Sequence, residues 1–190
     1  IILGGHSSGG GLCVRFVGTK VSQLVDGYIL LAPYLTHDAP SVRKENNWAQ
    51  PKLLRVIAAH LLNGFGLHWL DHVVTLEFNL PSEYRDGTET TRYTHSMLTS
   101  FTADNYVEDI KKLSKALVLV GEEDEVMISG EFKKLFIDSP LVELHTLPEI
   151  NHIGIVSHPS ISSHISAWID QSNRSAHQSM DKNHAEKNET

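Results

Sequence analysis

The chain has 190 residues, enough for one domain with a substantial buried core. Its 16 Lys and Arg against 23 Asp and Glu leave a formal net charge of −7, the opposite of the basic surface that nucleic acid demands. Cys13 stands alone, which excludes an internal disulfide, and no apolar run is long enough to cross a bilayer.

Ile1-Ile2-Leu3 reads as the end of a buried strand, and the pattern begun by Leu12-Cys13-Val14-Arg15-Phe16-Val17 as a helix from about Ser8 to Thr19. Between them, Gly5-His6-Ser7-Ser8-Gly9 fits G-x-S-x-G, a sharp strand-to-helix turn that exposes the serine Oγ. Side chains at positions 5 and 9 are expected to collide at such a turn. The helix directs its positive end at the serine, and the N–H of Ser8 is placed to donate to an oxyanion. A match of this kind arises by chance roughly once in twelve chains of this length, so the flanking strand and helix carry the weight. A P-loop fails because no Gly-Lys-Ser/Thr follows, and G-x-G-x-x-G fails because Leu12, Cys13 and Val14 follow Gly11. Both failures argue against nucleotide binding.

Val25 to Pro33 is a near-continuous apolar run closed by proline, the mark of a strand buried on both faces. With the elbow it makes a βαβ unit. The rhythm then stops, and residues 35–102 read as an insertion. In it Pro51 is placed at the first turn of a helix carrying Leu53, Leu54, Ile57 and Leu61, ended by Gly64 and Gly66. Leu67, Trp69, Leu70, Val73 and Val74 extend the apolar character. Such a segment suits a lid over an apolar pocket, with Leu53, Ile57, Phe65 and Trp69 as substrate-binding candidates, or else it only fastens itself to the core. His68 and His72, spaced i,i+4, would put two metal ligands on one helix face, but no third ligand is evident, so no metal is assigned.

Regular elements resume over residues 103–170: a helix from Asp104 to Leu113, an apolar strand Ala116–Gly121, a helix Ser129–Ile137, a strand Leu141–Leu147 and a helix Ile155–Ile169. Residues 171–190 are polar and read as a disordered tail.

An activated serine needs a base and an orienting carboxylate, in the chain order Ser, Asp or Glu, His. Functional groups of a parallel sheet gather in loops at the carboxyl ends of strands. Gly121-Glu122-Glu123-Asp124-Glu125 and Pro148-Glu149-Ile150-Asn151-His152 are two such loops. Ser7 as nucleophile, Asp124 as acid and His152 as base satisfy the order. Glu123 and Asp38 remain open as alternative acids, and His145 and His158 lie within predicted elements.

These three segments resemble the α/β-hydrolase family over residues 1–170, and within it the branch of serine-aminopeptidase-like proteins, lysophospholipases and monoglyceride lipases. The resemblance implies an α/β fold: residues 1–34 as elbow, helix and strand of the core, 35–102 as a helical cap, and 103–170 as the rest of the core. It implies a cofactor-free serine hydrolase acting on a small-molecule ester with an apolar acyl group. A peptidase or amidase and a non-catalytic ligand-binding protein are the alternatives. The family's first four strands, with the loop giving a second oxyanion donor, would precede Ile1. The chain therefore reads as a fragment whose isolated form is a poor enzyme, cytoplasmic, without nucleic acid or stable membrane insertion, and with protein partners unassigned.

Overall fold

β1 (Ile2–His6) passes into α1 (Ser8–Val17) through Ser7 alone in the computed structural model, which describes residues 1–45 and 48–188, with side chains of the last helix as far as Arg174. A 3-10 turn, Lys20–Leu24, leads from α1 to β2 (Gly27–Leu31). β1 and β2 are parallel, with Ile2 opposite Gly27 and His6 opposite Leu31. α1 buries Gly10, Gly11, Cys13, Val14 and Val17. The two glycines set how closely the helix lies on the chain beyond β2. A Cβ on Gly10 would stand 2.8 Å from Pro33 Cα, and one on Gly11 would stand 1.9 Å from the Tyr34 carbonyl oxygen.

The insertion contains its expected helix, α2 (Leu53–Gly64), together with strands that the sequence reading did not anticipate. β3 (Ala49–Pro51), β4 (Val74–Phe78) and β5 (Arg92–Thr94) form an antiparallel sheet of three strands, followed by α3 (His95–Phe101). Pro51 closes the outer strand β3 instead of opening α2, and Lys52 is the N-cap. A proline suits that place because an outer strand can spare an N–H. Gly66 adopts φ +74° beyond the end of α2, and the run carrying His68 and His72 is turns, so those two do not share a helix face. Glu77 of β4 accepts from Lys52 at 2.8 Å and faces Arg92 at 3.5 Å. Edge-on aromatic contacts join the insertion to the core, from Phe78 to Tyr93 to Phe101 to Tyr34, with centroids 4.8, 5.5 and 5.9 Å apart.

α4 (Tyr106–Lys111) starts at Asn105, whose side chain accepts from the Glu108 N–H. β6 (Ala116–Gly121) is buried at all six residues, as its unbroken apolar run requires. Then follow α5 (Ser129–Leu135), β7 (Val142–Leu147), the short α6 (Gly154–Ser157) and α7 (Pro159–Asn188). The final helix expected over 155–169 is thus divided. His158 takes an extended conformation (φ −70°, ψ 134°) because the ring of Pro159 disfavours helix in the residue before it. The backbone of α7 continues to Asn188 where the sequence reading expects a disordered tail. Half of residues 171–188 are Ala, Gln, Lys, Arg, Met or Glu, which favour helix without packing.

The main sheet is parallel throughout, in the order β1-β2-β6-β7. Its core comprises Tyr28, Leu30, Leu117 and Leu119 from the strands, closed by Val14, Phe132, Ile155 and Trp168 from the helices. The carboxyl ends of β1, β6 and β7 therefore open on the same side, which brings the elbow and the two acid-and-histidine loops together. No helix among the described residues is long and apolar enough to cross a membrane.

Candidate active site

Ser7 is held at φ 50°, ψ −115°, a conformation rare for any residue but glycine. Its N–H donates to the Leu31 carbonyl at 2.9 Å, and its own carbonyl accepts from Gly11 at 3.0 Å and Tyr34 at 2.9 Å. Both ends of the strained residue are thereby tied to β2 and its exit. A Cβ on Gly5 would come within 2.3 Å of the Gly9 carbonyl carbon, as the sequence pattern requires. The expectation for Gly9 itself fails: a Cβ there meets nothing within 4 Å, because that position points away from the turn. Within the elbow and α1, the crowded glycines are Gly5, Gly10 and Gly11. Ser8 is the first residue of α1, where backbone N–H groups have no acceptor within the helix.

Asp124 is 1% exposed, in the loop after β6. Its Oδ1 accepts the backbone N–H groups of Val126 at 2.8 Å and Met127 at 2.6 Å. That leaves Oδ2 for the Nδ1 of His152, 2.8 Å away. His152 is 3% exposed, and its Nε2 lies 3.0 Å from Ser7 Oγ. The two loops are pressed together: a Cβ on Gly121 would lie 2.0 Å from the Ile150 carbonyl oxygen. Glu149 enters the histidine loop with a left-handed φ of 58°.

The side chains of His6, Glu125, Trp48 and Tyr84 also reach the histidine loop. His6 Nε2 donates to the His152 carbonyl at 2.9 Å, with the two rings 4.7 Å apart. Burial, and then the neighbouring His152, lower the pKa of His6 to about 4, so its ring is neutral and can donate from Nε2 while Nδ1 stays bare. Glu125 Oε2 accepts the His152 N–H at 3.0 Å. From the insertion, the half-buried Trp48 sets its indole against the imidazole of His152, and the Tyr84 hydroxyl accepts from Asn151 Nδ2 at 3.2 Å. His6 occupies the variable position of G-x-S-x-G and was within reach of the sequence pattern. Glu125, Trp48 and Tyr84 join the site through tertiary folding and carry no local signal.

The other candidates lie elsewhere. Glu123 is exposed on its loop, and Asp38 is exposed and accepts from the Thr36 hydroxyl at 2.8 Å, which lowers its pKa below the ordinary range. His145 pairs with Glu143 at 2.7 Å, and His158 bonds Ser160 at 2.8 Å. His68 bonds Asp71 at 3.0 Å, and among the described residues no three metal-ligating side chains converge. Leu53, Ile57, Phe65 and Trp69 lie on α2 and the turns after it and are 65%, 55%, 82% and 70% exposed. They are exposed apolar side chains of the insertion, and none of them is among the residues that contact His152.

Chemically, a hydroxyl 3.0 Å from an imidazole nitrogen, with a buried carboxyl on the far nitrogen, is arranged to pass a proton from oxygen to nitrogen.

No family model matches the chain, and no curated protein matches it. Solved structures do. A thermophilic esterase from Thermogutta terrifontis is 18% identical with a TM-score of 0.54, over 90% of this chain and 65% of that one. A Paleococcus ferrophilus monoacylglycerol lipase is 16% identical with a TM-score of 0.55, over 88% of this chain and 68% of that one. A soluble variant of monoglyceride lipase from Saccharomyces cerevisiae is 19% identical with a TM-score of 0.53, over 90% of this chain and 59% of that one. The chain thus spans about two thirds of the length of these structures or less.

Proposed function

We propose that this chain, which has the α/β-hydrolase fold, is the catalytic part of a serine hydrolase acting on carboxylic esters. The observation that carries this reading is the continuous line from Asp124 Oδ2 through His152 to Ser7 Oγ, with bonds of 2.8 and 3.0 Å.

In the reaction, Ser7 Oγ attacks the ester carbonyl carbon while His152 Nε2 takes the hydroxyl proton. Asp124 holds the imidazole in the tautomer with Nδ1 protonated and stabilises the imidazolium that forms. The N–H of Ser8, at the positive end of α1, donates to the oxyanion. Collapse of the tetrahedral intermediate expels the alcohol, which leaves with the proton from His152, and Ser7 is acylated. Water then attacks the acyl-enzyme by the same route and releases the acid. Trp48 stands beside the base, so a bound ester lies against its indole. The exposed apolar side chains of Leu53, Ile57, Phe65 and Trp69 favour an apolar acyl group over a charged one.

Labelling with a fluorophosphonate probe tests the reading, since the reagent reacts covalently with an activated serine. Wild type is expected to label and Ser7→Ala to lose the label. A folded wild-type protein that does not label, or labelling that survives Ser7→Ala, overturns it.

A further inference from the structure

We propose that His6 and Glu125 are positioning residues that fix the main chain of His152 and so hold its Nε2 on Ser7 Oγ. The inference rests on the serine-hydrolase reading above for its catalytic consequence, and on geometry alone for the clamp itself.

His152 sits in a loop between the left-handed Glu149 and the four-residue helix α6, neither of which fixes a side chain by itself. Its ring is bonded at both nitrogens and its backbone at both polar atoms. The pairing is regular. Consecutive residues 124 and 125 supply one ring bond and one backbone bond, from Asp124 to Nδ1 and from Glu125 to the N–H. Consecutive residues 6 and 7 do the same on the other side, with Ser7 on Nε2 and His6 on the carbonyl. Each neighbouring loop thus grips His152 twice, once where chemistry would occur and once on the chain that carries it. Ring bonds alone would let the imidazole follow any drift of its loop. With the backbone also held, the separation between Oγ and Nε2 is set by β1 and β6, the rigid elements that the two loops leave. A displacement of about 1 Å at such a contact costs on the order of 10²-fold in rate.

The chemistry of each clamp fits its task. Glu125 is an acceptor facing an N–H. His6 is a donor facing a carbonyl, and its neutrality keeps a second positive charge away from the imidazolium 4.7 Å off.

Two pairs of variants separate positioning from bulk structure. Glu125→Ala removes the acceptor, whereas the side-chain carbonyl of Glu125→Gln still accepts. His6→Phe keeps an aromatic ring without a donor, whereas the amide of His6→Gln still donates. Turnover of a p-nitrophenyl ester is expected to lose about 10- to 100-fold in kcat in Glu125→Ala and His6→Phe. KM should stay within about twofold, since substrate binding is not the step affected. The glutamine variants should recover most of the loss. Unchanged kcat in folded Glu125→Ala and His6→Phe overturns the proposal, as does an equal loss in the glutamine variants. Should His6→Phe fail to fold, the Glu125 pair decides.

Hydrogen exchange of the His152 amide reads the clamp without reference to catalysis. It should accelerate about tenfold or more in Glu125→Ala, because the amide loses its acceptor, and stay slow in Glu125→Gln. An amide that remains protected in Glu125→Ala overturns the clamp even in an active enzyme. An amide that is released in Glu125→Ala, in a protein that hydrolyses no ester, supports the clamp and overturns the serine-hydrolase reading instead.

Discussion

The Trp48 indole meets the His152 imidazole edge-on, with ring centroids 5.7 Å apart and planes at 76°. The insertion thereby touches the His152 side chain itself, the base of the proposed reaction. Edge-on aromatic pairs contribute about 0.5–1.5 kcal/mol beyond their buried area. Trp48→Ala should therefore lower kcat/KM for short esters about two- to tenfold, and Trp48→Phe should keep most of the activity. Initial rates on an acetyl ester check this; equal loss in both variants would assign the effect to the indole N–H or to overall size.

Asp124 is bonded at both oxygens, since Oδ1 holds two backbone amides of its own loop while Oδ2 bonds the Nδ1 of His152, the base of the proposed reaction. Asp124→Asn keeps an acceptor for the loop but presents an amide that can force the wrong imidazole tautomer. Loss of orientation in this way costs about 10⁴-fold in kcat. Asp124→Ala should lose as much activity and, in addition, about 1–3 kcal/mol of stability from two buried donors left unpaired. Urea titrations beside the kinetics distinguish the two; equal stability of Asn and Ala variants would mean that the loop amides do not depend on Oδ1.

The two glycines of the elbow motif are not equivalent. Gly5→Ala puts a methyl 2.3 Å from the Gly9 carbonyl carbon, in backbone that cannot yield, whereas Gly9→Ala puts one in open space within α1. Gly5→Ala is expected to destabilise by about 3 kcal/mol or to prevent folding. Gly9→Ala should stabilise by about 0.5–1 kcal/mol, the ordinary gain for alanine in a helix. Denaturation midpoints of the two variants test the contrast.

The difference between these glycines shows where a sequence pattern stops. The order of strand, Ser7, helix, and then of the Asp124 and His152 loops, was legible because apolar runs and turn residues encode strands and their ends locally. The bonds of Asp124 to His152 and of His152 to Ser7 followed from that order and from the chemistry of the three side chains. The short strands Ala49–Pro51 and Arg92–Thr94 were not legible, because three residues carry no period. Pro51 misled for the same reason: a proline before an apolar run is equally at home at the end of an outer strand. Trp48 and Tyr84 meet a loop about a hundred and about seventy residues away, which composition and spacing do not encode.

The neutral His6 makes stability fall with acidity. Its ordinary pKa of 6.5 applies to the unfolded chain, and the folded value is about 4. Between these the unfolded chain binds a proton that the folded one refuses. The stability is complete above pH 6.5 and declines as pH falls towards 4, by up to roughly 3 kcal/mol. Buried His95 is lowered in the same direction and adds to the slope. His6→Gln removes the first contribution and leaves the second. Urea midpoints measured from pH 7 to pH 4.5 should therefore fall less steeply in His6→Gln than in wild type, and parallel curves would show that His6 titrates freely.

On the proposed ester hydrolysis, the exposed apolar side chains of the insertion are expected to set the acyl preference. Each methylene removed from water contributes about 0.8 kcal/mol, or close to fourfold in kcat/KM if it is buried in the transition state. An ester series from acetyl to octanoyl should rise by about that factor per carbon until the surface offered by Leu53, Ile57, Phe65 and Trp69 is covered. Replacing Ile57 and Phe65 together by serine should flatten the slope, lowering the octanoyl-to-acetyl ratio about tenfold or more. A flat series in wild type would remove the apolar acyl group from the proposal. A steep series unchanged by the double substitution would move the acyl chain off α2 and onto the wall formed by Trp48.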